Sequence, residues 1–178
     1  MGKTTNEAVT NRVISQTTDL SVRRRHGRAV NAVADFLRSQ LRVPNVYIDP
    51  SATGLSRVDV LAADAAGSGD IHAVEVKLLQ APLTQAAMKT YIDQIKKVPA
   101  HYKYLALNAN LTSISIGIQL FSGDGIGRVG LLLISEFGDN FPAVELAIKP
   151  ERFRVEASEL TQIERFLSRA QPDMYVRL

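Results

Sequence analysis

Asp59, Glu75 and Lys77 are the residues of this chain whose types and spacing could do chemistry together. Asp59 sits in Ser56-Arg57-Val58-Asp59-Val60, and the other two in Ala73-Val74-Glu75-Val76-Lys77. Both stretches surround the polar residues with β-favouring side chains: Val58, Val60 and Leu61 in the first, Ile71, Val74 and Val76 in the second. Between them Ala65-Ala66-Gly67-Ser68-Gly69-Asp70 supplies turn chemistry, and an antiparallel hairpin centred on Gly67 places Asp59 opposite Glu75. Alternation along the second strand puts Glu75 and Lys77 on one face and Val74 and Val76 on the other. Facing carboxylates repel, so a chain that keeps two acids there beside one ammonium has a cation to hold, and hard oxygen ligands suit Mg²⁺ or Mn²⁺. A plainer reading stands beside this one: an Asp at a strand start and a Glu-x-Lys on a half-exposed strand also describe a solvated face with a cross-strand ion pair. The apolar density of Ala73-Val74-Glu75-Val76-Lys77-Leu78-Leu79 favours the first, because it reads as a central strand buried on both faces, where charges are costly unless paired or metal-bound.

The constellation resembles the PD-(D/E)xK nuclease superfamily, Asp59 matching its first acid and Glu75-Val76-Lys77 its acid-x-Lys strand. The likeness runs from Ser21 to Ile134 as an order of elements. It implies a single-domain restriction-endonuclease-like α/β/α sandwich with a central mixed sheet, Mg²⁺ (or Mn²⁺) held by Asp59 and Glu75, and Lys77 acting on the water that attacks a phosphodiester. That reaction needs charge neutralisation at the phosphoryl oxygens, a positioned water and a stabilised leaving oxygen. A nearby metal lowers the pKa of Lys77 and the neighbouring acids raise it, and the sequence leaves both directions open. DNA is the expected partner and RNA the alternative, and double-strand cutting favours a two-fold homodimer. Val58 stands where the family often has proline. Many members carry a further Glu on the first helix, and here the corresponding place holds Asn31, whose amide can bond a metal-bound water but adds no charge. Glu7 is the substitute if the N-terminal arm folds over the site. On the helix after Lys77, Gln85 is a candidate catalytic residue and Lys89 a candidate phosphate contact, with solvent as the alternative setting for both. The other function on the same fold is a catalytically inactive nucleic-acid-binding or assembly module.

The elements that must position these residues follow from periodicity. Residues 5–17 are weakly helical, and residues 1–20 read as an arm or peripheral helix ahead of a domain spanning 21–178. From Val22 to Leu41 the set Ala29, Val30, Val33, Phe36, Leu37 and Leu41 recurs at helical spacing behind Ser21 as a cap. Asn45 to Asp49 reads as an edge strand, with Pro50 and Gly54 marking the loop that follows. Pro82 and Thr84 open a second helix with Ala87, Met88, Tyr91, Ile92, Ile95 and Val98 inward, closed by Pro99. Tyr102 to Leu107 is then a strand parallel to the Glu75 strand through a helical crossover. Leu111 to Phe121 fits strand and helix periods alike, with strand preferred for its β-branched residues and Gly123-Asp124-Gly125-Ile126-Gly127 as a turn. Val129 to Ser135 and Ala143 to Ile148 are strands, and Ser158 to Ala170 is a terminal helix.

At 178 residues the chain is one domain with room for a sizeable core, and it carries no cysteine or tryptophan, which excludes disulfides, thiolate metal sites and cysteine nucleophiles. No apolar run approaches a membrane span and no signal core opens the chain, so a cytoplasmic protein with no membrane partner is expected. Net charge is +3, but Arg23, Arg24, Arg25 and Arg28 are concentrated with His26, a pattern that fits phosphate contact or a solvated helix face. Gly2-Lys3-Thr4-Thr5 lacks the strand and glycine loop of a phosphate-binding motif. His26, His72 and His101 are far apart in sequence, and alternation points His72 away from Glu75, against a histidine metal site. Ser15, Ser56 and Ser68 have no His and Asp arrangement for nucleophilic catalysis.

Overall fold

A computed structural model describes residues 5–50, 58–65, 68–108, 129–136 and 141–170, with side chains from Leu20 onward except Ala65 and Ser68. Helix α1 spans Thr5–Ser39, β1 Asn45–Ile48, β2 Val60–Ala65, β3 Ser68–Lys77, α2 Gln85–Lys96, β4 Tyr102–Asn108, β5 Gly130–Ser135, β6 Ala143–Ile148 and α3 Ala157–Leu167. The six strands form one mixed sheet in the order β1-β2-β3-β4-β5-β6. β3, β4 and β5 run parallel at its centre, while β1, β2 and β6 pair antiparallel at the flanks.

Side-chain alternation divides the interior into two cores. Leu61, Ile71, Ala73, Leu105, Leu107 and Leu131 face α2 and α3, meeting Met88, Ile92, Ile95 and Ile163. Val60, Ala62, Val74, Val76, Ala106 and Leu132 face α1, meeting Ala29, Val30, Val33 and Leu37. Helices therefore cover both faces of the sheet, giving an α/β/α sandwich. The central strands read as near-continuous apolar runs because both their faces are buried. Gly130 has a packing reason: a Cβ there would lie 2.8 Å from the Tyr104 ring and 2.9 Å from Pro150.

Two expectations need correcting. Ser21 is not a helix cap, because α1 begins at Thr5 and passes through it; residues 5–20 hold no Gly or Pro to break the helix, and a serine caps only where the preceding backbone leaves helical geometry. Asp59 lies one residue ahead of β2 rather than within it. The second helix begins where Thr84 predicts, its hydroxyl accepting from the Ala87 N–H at 3.2 Å. The segment Leu111 to Phe121, the glycine turn at 123–127, Gly67, Ser56 and Gly2 to Thr4, and the side chains of Glu7 and Ser15, lie outside what the structure describes.

Two buried polar side chains fix the crossover that carries the site. Asn108, 2% exposed at the end of β4, accepts from the Leu79 N–H at 2.7 Å and donates to the Leu79 carbonyl at 3.1 Å, so one amide serves the chain just after β3. Lys103 Nζ donates to the Lys96 carbonyl at 2.6 Å, at the C-terminal end of α2, and lies 4.3 Å from the centre of the Phe153 ring. Burial lowers the pKa of this ammonium. Among the described residues no helix is long and apolar enough to cross a membrane.

Candidate active site

The hairpin register brings the acids together. β2 and β3 pair Val60 with Val74 and Leu61 with Ala73, so one step outward sets Asp59 against Glu75, as symmetry about Gly67 predicts. Asp59 is held from two directions. Its backbone carbonyl accepts from the Asp49 N–H at 2.9 Å, and its Oδ2 accepts from the Val76 N–H at 2.7 Å, so the carboxylate extends the ladder just ahead of the start of β2. Asp49 takes a left-handed backbone with φ of 46°, turning the chain out of β1 beside the site.

Glu75 and Lys77 project from the face of β3 that meets α2, and Lys77 Nζ donates to Glu75 Oε1 at 2.5 Å. The ammonium stands 5.6 Å from the centre of the Tyr91 ring on α2. Burial raises the Glu75 pKa above its ordinary value; the Lys77 bond opposes this, Asp59 reinforces it, and His26 opposes it. The plainer sequence reading expected an ion pair across the strands; the pair present joins Glu75 and Lys77 on one strand and leaves Asp59 outside it.

A cavity of about 490 Å³ opens over these groups, lined by His26, Asp59, Glu75, Val76, Lys77, Gln94, Ile95 and Lys97. A second, of about 470 Å³, shares His26, Asp59, Val76 and Lys77 with it and extends along α1 to Arg23 and Arg25. His26 is the residue that sequence reasoning missed: its Nε2 is 3.6 Å from Asp59 Oδ1. The α1 side chain that approaches the acids is this imidazole, whereas Asn31 is 5% exposed and lines neither cavity. The helical phase of α1 relative to Asp59 would have identified it, and that phase depends on tertiary docking.

The remaining site candidates are dispersed. Gln85 and Lys89 are exposed on α2, and the cavity meets this part of the chain at Gln94, Ile95 and Lys97 instead. Arg23 and Arg25 line the second cavity. Arg25 is committed to Glu136 through a bidentate pair, with Nε to Oε1 at 2.7 Å and Nη2 to Oε2, a contact that raises its pKa. Arg24 is exposed and Arg28 half-buried on the same helix.

His72 points to the α1 face, away from Glu75, as alternation requires. It stacks 4.9 Å from Tyr102, contacts the Tyr104 hydroxyl through Nδ1 at 3.3 Å, and lies 3.6 Å from Asp64. Burial lowers its pKa while Asp64 and Asp70 draw it up. His101 Nδ1 accepts from the Ile71 N–H at 3.0 Å, and Arg152 grips Asp70 at 2.8 and 3.1 Å.

Asp59, Glu75 and His26 offer two hard carboxylates and one imidazole at a cavity wall, donor chemistry that suits a divalent cation. Among the described residues, no group of three or more His, Cys, Asp or Glu side chains is arranged to hold a metal ion; Glu75 is turned to Lys77.

No protein-family model and no curated protein matches the chain. A solved structure, the SPO1766 protein of unknown function from Silicibacter pomeroyi, is similar at 19% identity and a TM-score of 0.50, over 79% of this chain and 83% of that one. The similarity is one of fold.

Proposed function

We propose that the chain is a metal-dependent nuclease of the PD-(D/E)xK type, hydrolysing phosphodiester bonds in DNA in the cytoplasm. The observation that supports it is the β2–β3 register, which sets Asp59 beside Glu75-Val76-Lys77 at one open cavity. Asp59 and Glu75 are the residues that would hold Mg²⁺ or Mn²⁺. The bound ion supplies charge neutralisation at the phosphoryl oxygens and a more acidic water. Asp59 is already oriented by the Val76 N–H. Lys77, released from Glu75, would donate to the attacking water and hold it against the phosphorus. Arg23 and Lys97, at the cavity walls, would meet flanking phosphates.

The closed Glu75–Lys77 pair favours a second reading, a nucleic-acid-binding or assembly module on the same fold without turnover. Two substitutions separate the readings. Lys77→Ala should lower cleavage of DNA by at least about a hundredfold with Mg²⁺ while folding is kept. Asp59→Asn should also stop cleavage, yet metal-free DNA affinity should hold or rise, since a phosphate-repelling charge is gone and the amide oxygen can still accept from Val76. Wild-type protein that binds DNA or RNA but cleaves neither with Mg²⁺ or Mn²⁺ would establish the second reading. An Asp59→Asn protein that is merely less stable, with no gain in affinity, would make Asp59 structural.

A further inference from the structure

We propose that His26 is a metal ligand beside Asp59, which gives the site a nitrogen donor and a preference for late first-row divalent ions that an all-oxygen pair of acids would not have. The inference rests on the metal-site reading above and adds to it a residue on a different element.

Three observations carry it. The first is separation: His26 Nε2 and Asp59 Oδ1 lie 3.6 Å apart. A charged imidazolium–carboxylate hydrogen bond closes to about 2.7–2.9 Å. Two donors on a common ion, each bonded at about 2.0–2.2 Å with a right to tetrahedral angle between them, stand about 2.8–3.6 Å apart. The observed gap is therefore too long for the hydrogen bond and matches the wide end of the span of a shared ion, the tetrahedral arrangement. The second is orientation: Oδ2 of Asp59 is taken by the Val76 N–H, so Oδ1 is the oxygen turned to His26. The third is placement. Both residues line both cavities, so they stand where the two spaces meet, and the His26 side chain is 40% exposed there. The helix backbone that carries the ring is docked on the sheet, because Arg25 is paired with Glu136 just after β5 and Gly27 is buried.

The chemistry of the donor decides the ion. Imidazole nitrogen binds Co²⁺, Ni²⁺ and Zn²⁺ well and contributes little to Mg²⁺, which prefers oxygen and keeps its waters. Removing His26 should therefore weaken the site selectively, whereas removing Asp59 should weaken it for every ion.

The test is titration of the full chain with Co²⁺ and with Mg²⁺, by calorimetry, for wild type, His26→Ala, His26→Gln and Asp59→Asn. Both His26 variants should lose Co²⁺ affinity by about tenfold or more, with Mg²⁺ affinity within about threefold of wild type. Asp59→Asn should lose both ions. Co²⁺-loaded wild type should also show hyperfine-shifted, non-exchangeable imidazole C–H protons in its ¹H NMR spectrum. Should the His26 variants fail to fold, that signal decides, and its absence overturns the assignment. Co²⁺ affinity unchanged in His26→Ala but lost in Asp59→Asn removes His26 as a ligand and leaves the two-acid site standing. Wild type that binds neither ion removes the metal site and His26 with it.

Discussion

The pKa of Glu75 is raised because its charged form is partly stripped of water, and the sign of that shift makes a stability prediction. A carboxyl whose folded pKa lies above its unfolded value favours folding fully below the unfolded value of 4.5, and that contribution is lost as pH rises through the folded value. Glu75→Gln, which keeps an oxygen to accept from Lys77, should therefore melt at a higher temperature than wild type at neutral pH, with the gap closing below pH 4.5. Thermal unfolding over a pH series checks this. A gap that does not change with pH, or a wild type that is the more stable at neutral pH, would contradict the burial account. Asp59, Glu75 and Lys77 were legible in the sequence because a single local hairpin relates them, so alternation and symmetry about Gly67 suffice. His26 was not, because its approach to Asp59 depends on how a helix from another part of the chain docks on the sheet.

At the scale of elements, β3 is held in register by its neighbours, but the turn from Lys77 into α2 hangs on the Asn108 amide. Asn108→Ala leaves the Leu79 N–H and C=O without that partner in a place that is 8% exposed, at a cost of about 1–3 kcal/mol. Denaturant unfolding should register that loss, and hydrogen exchange at the Leu79 amide should accelerate; an unaffected amide would mean that the crossover is fixed by packing alone. The start of α2 was readable from Thr84, and the strands at 143–148 and from Tyr102 from their periods and bounding turns. The start of α1 was misread at Ser21, since a cap residue resembles a mid-helix serine unless the backbone before it is known. Asn108 gave no sequence signal at all: a terminal strand asparagine looks like turn chemistry.

Across the whole molecule, charge is nearly balanced, so binding to a polyanion has to come from the placement of cations around the cleft. Arg25 is spent on Glu136. If Arg23 and Arg24 meet phosphates, replacing both with Ala should make the log–log salt slope of duplex DNA binding shallower by about two. An unchanged slope would assign these arginines to the solvated helix surface.

β3 is paired on both edges, and the hairpin ties Asp59 to it, so the two acids cannot move apart without breaking sheet ladders. His26 belongs to a different mechanical body. It rides on a helix of 35 residues, about 50 Å long, which joins the sheet through side-chain packing and the Arg25–Glu136 pair. A shift of α1 against the sheet would carry the imidazole with it, while Asp59 and Glu75 stay tied together through the hairpin. Helix α1 thus sets the position of the imidazole from outside the hairpin, with His26 inside the helix and at neither of its ends.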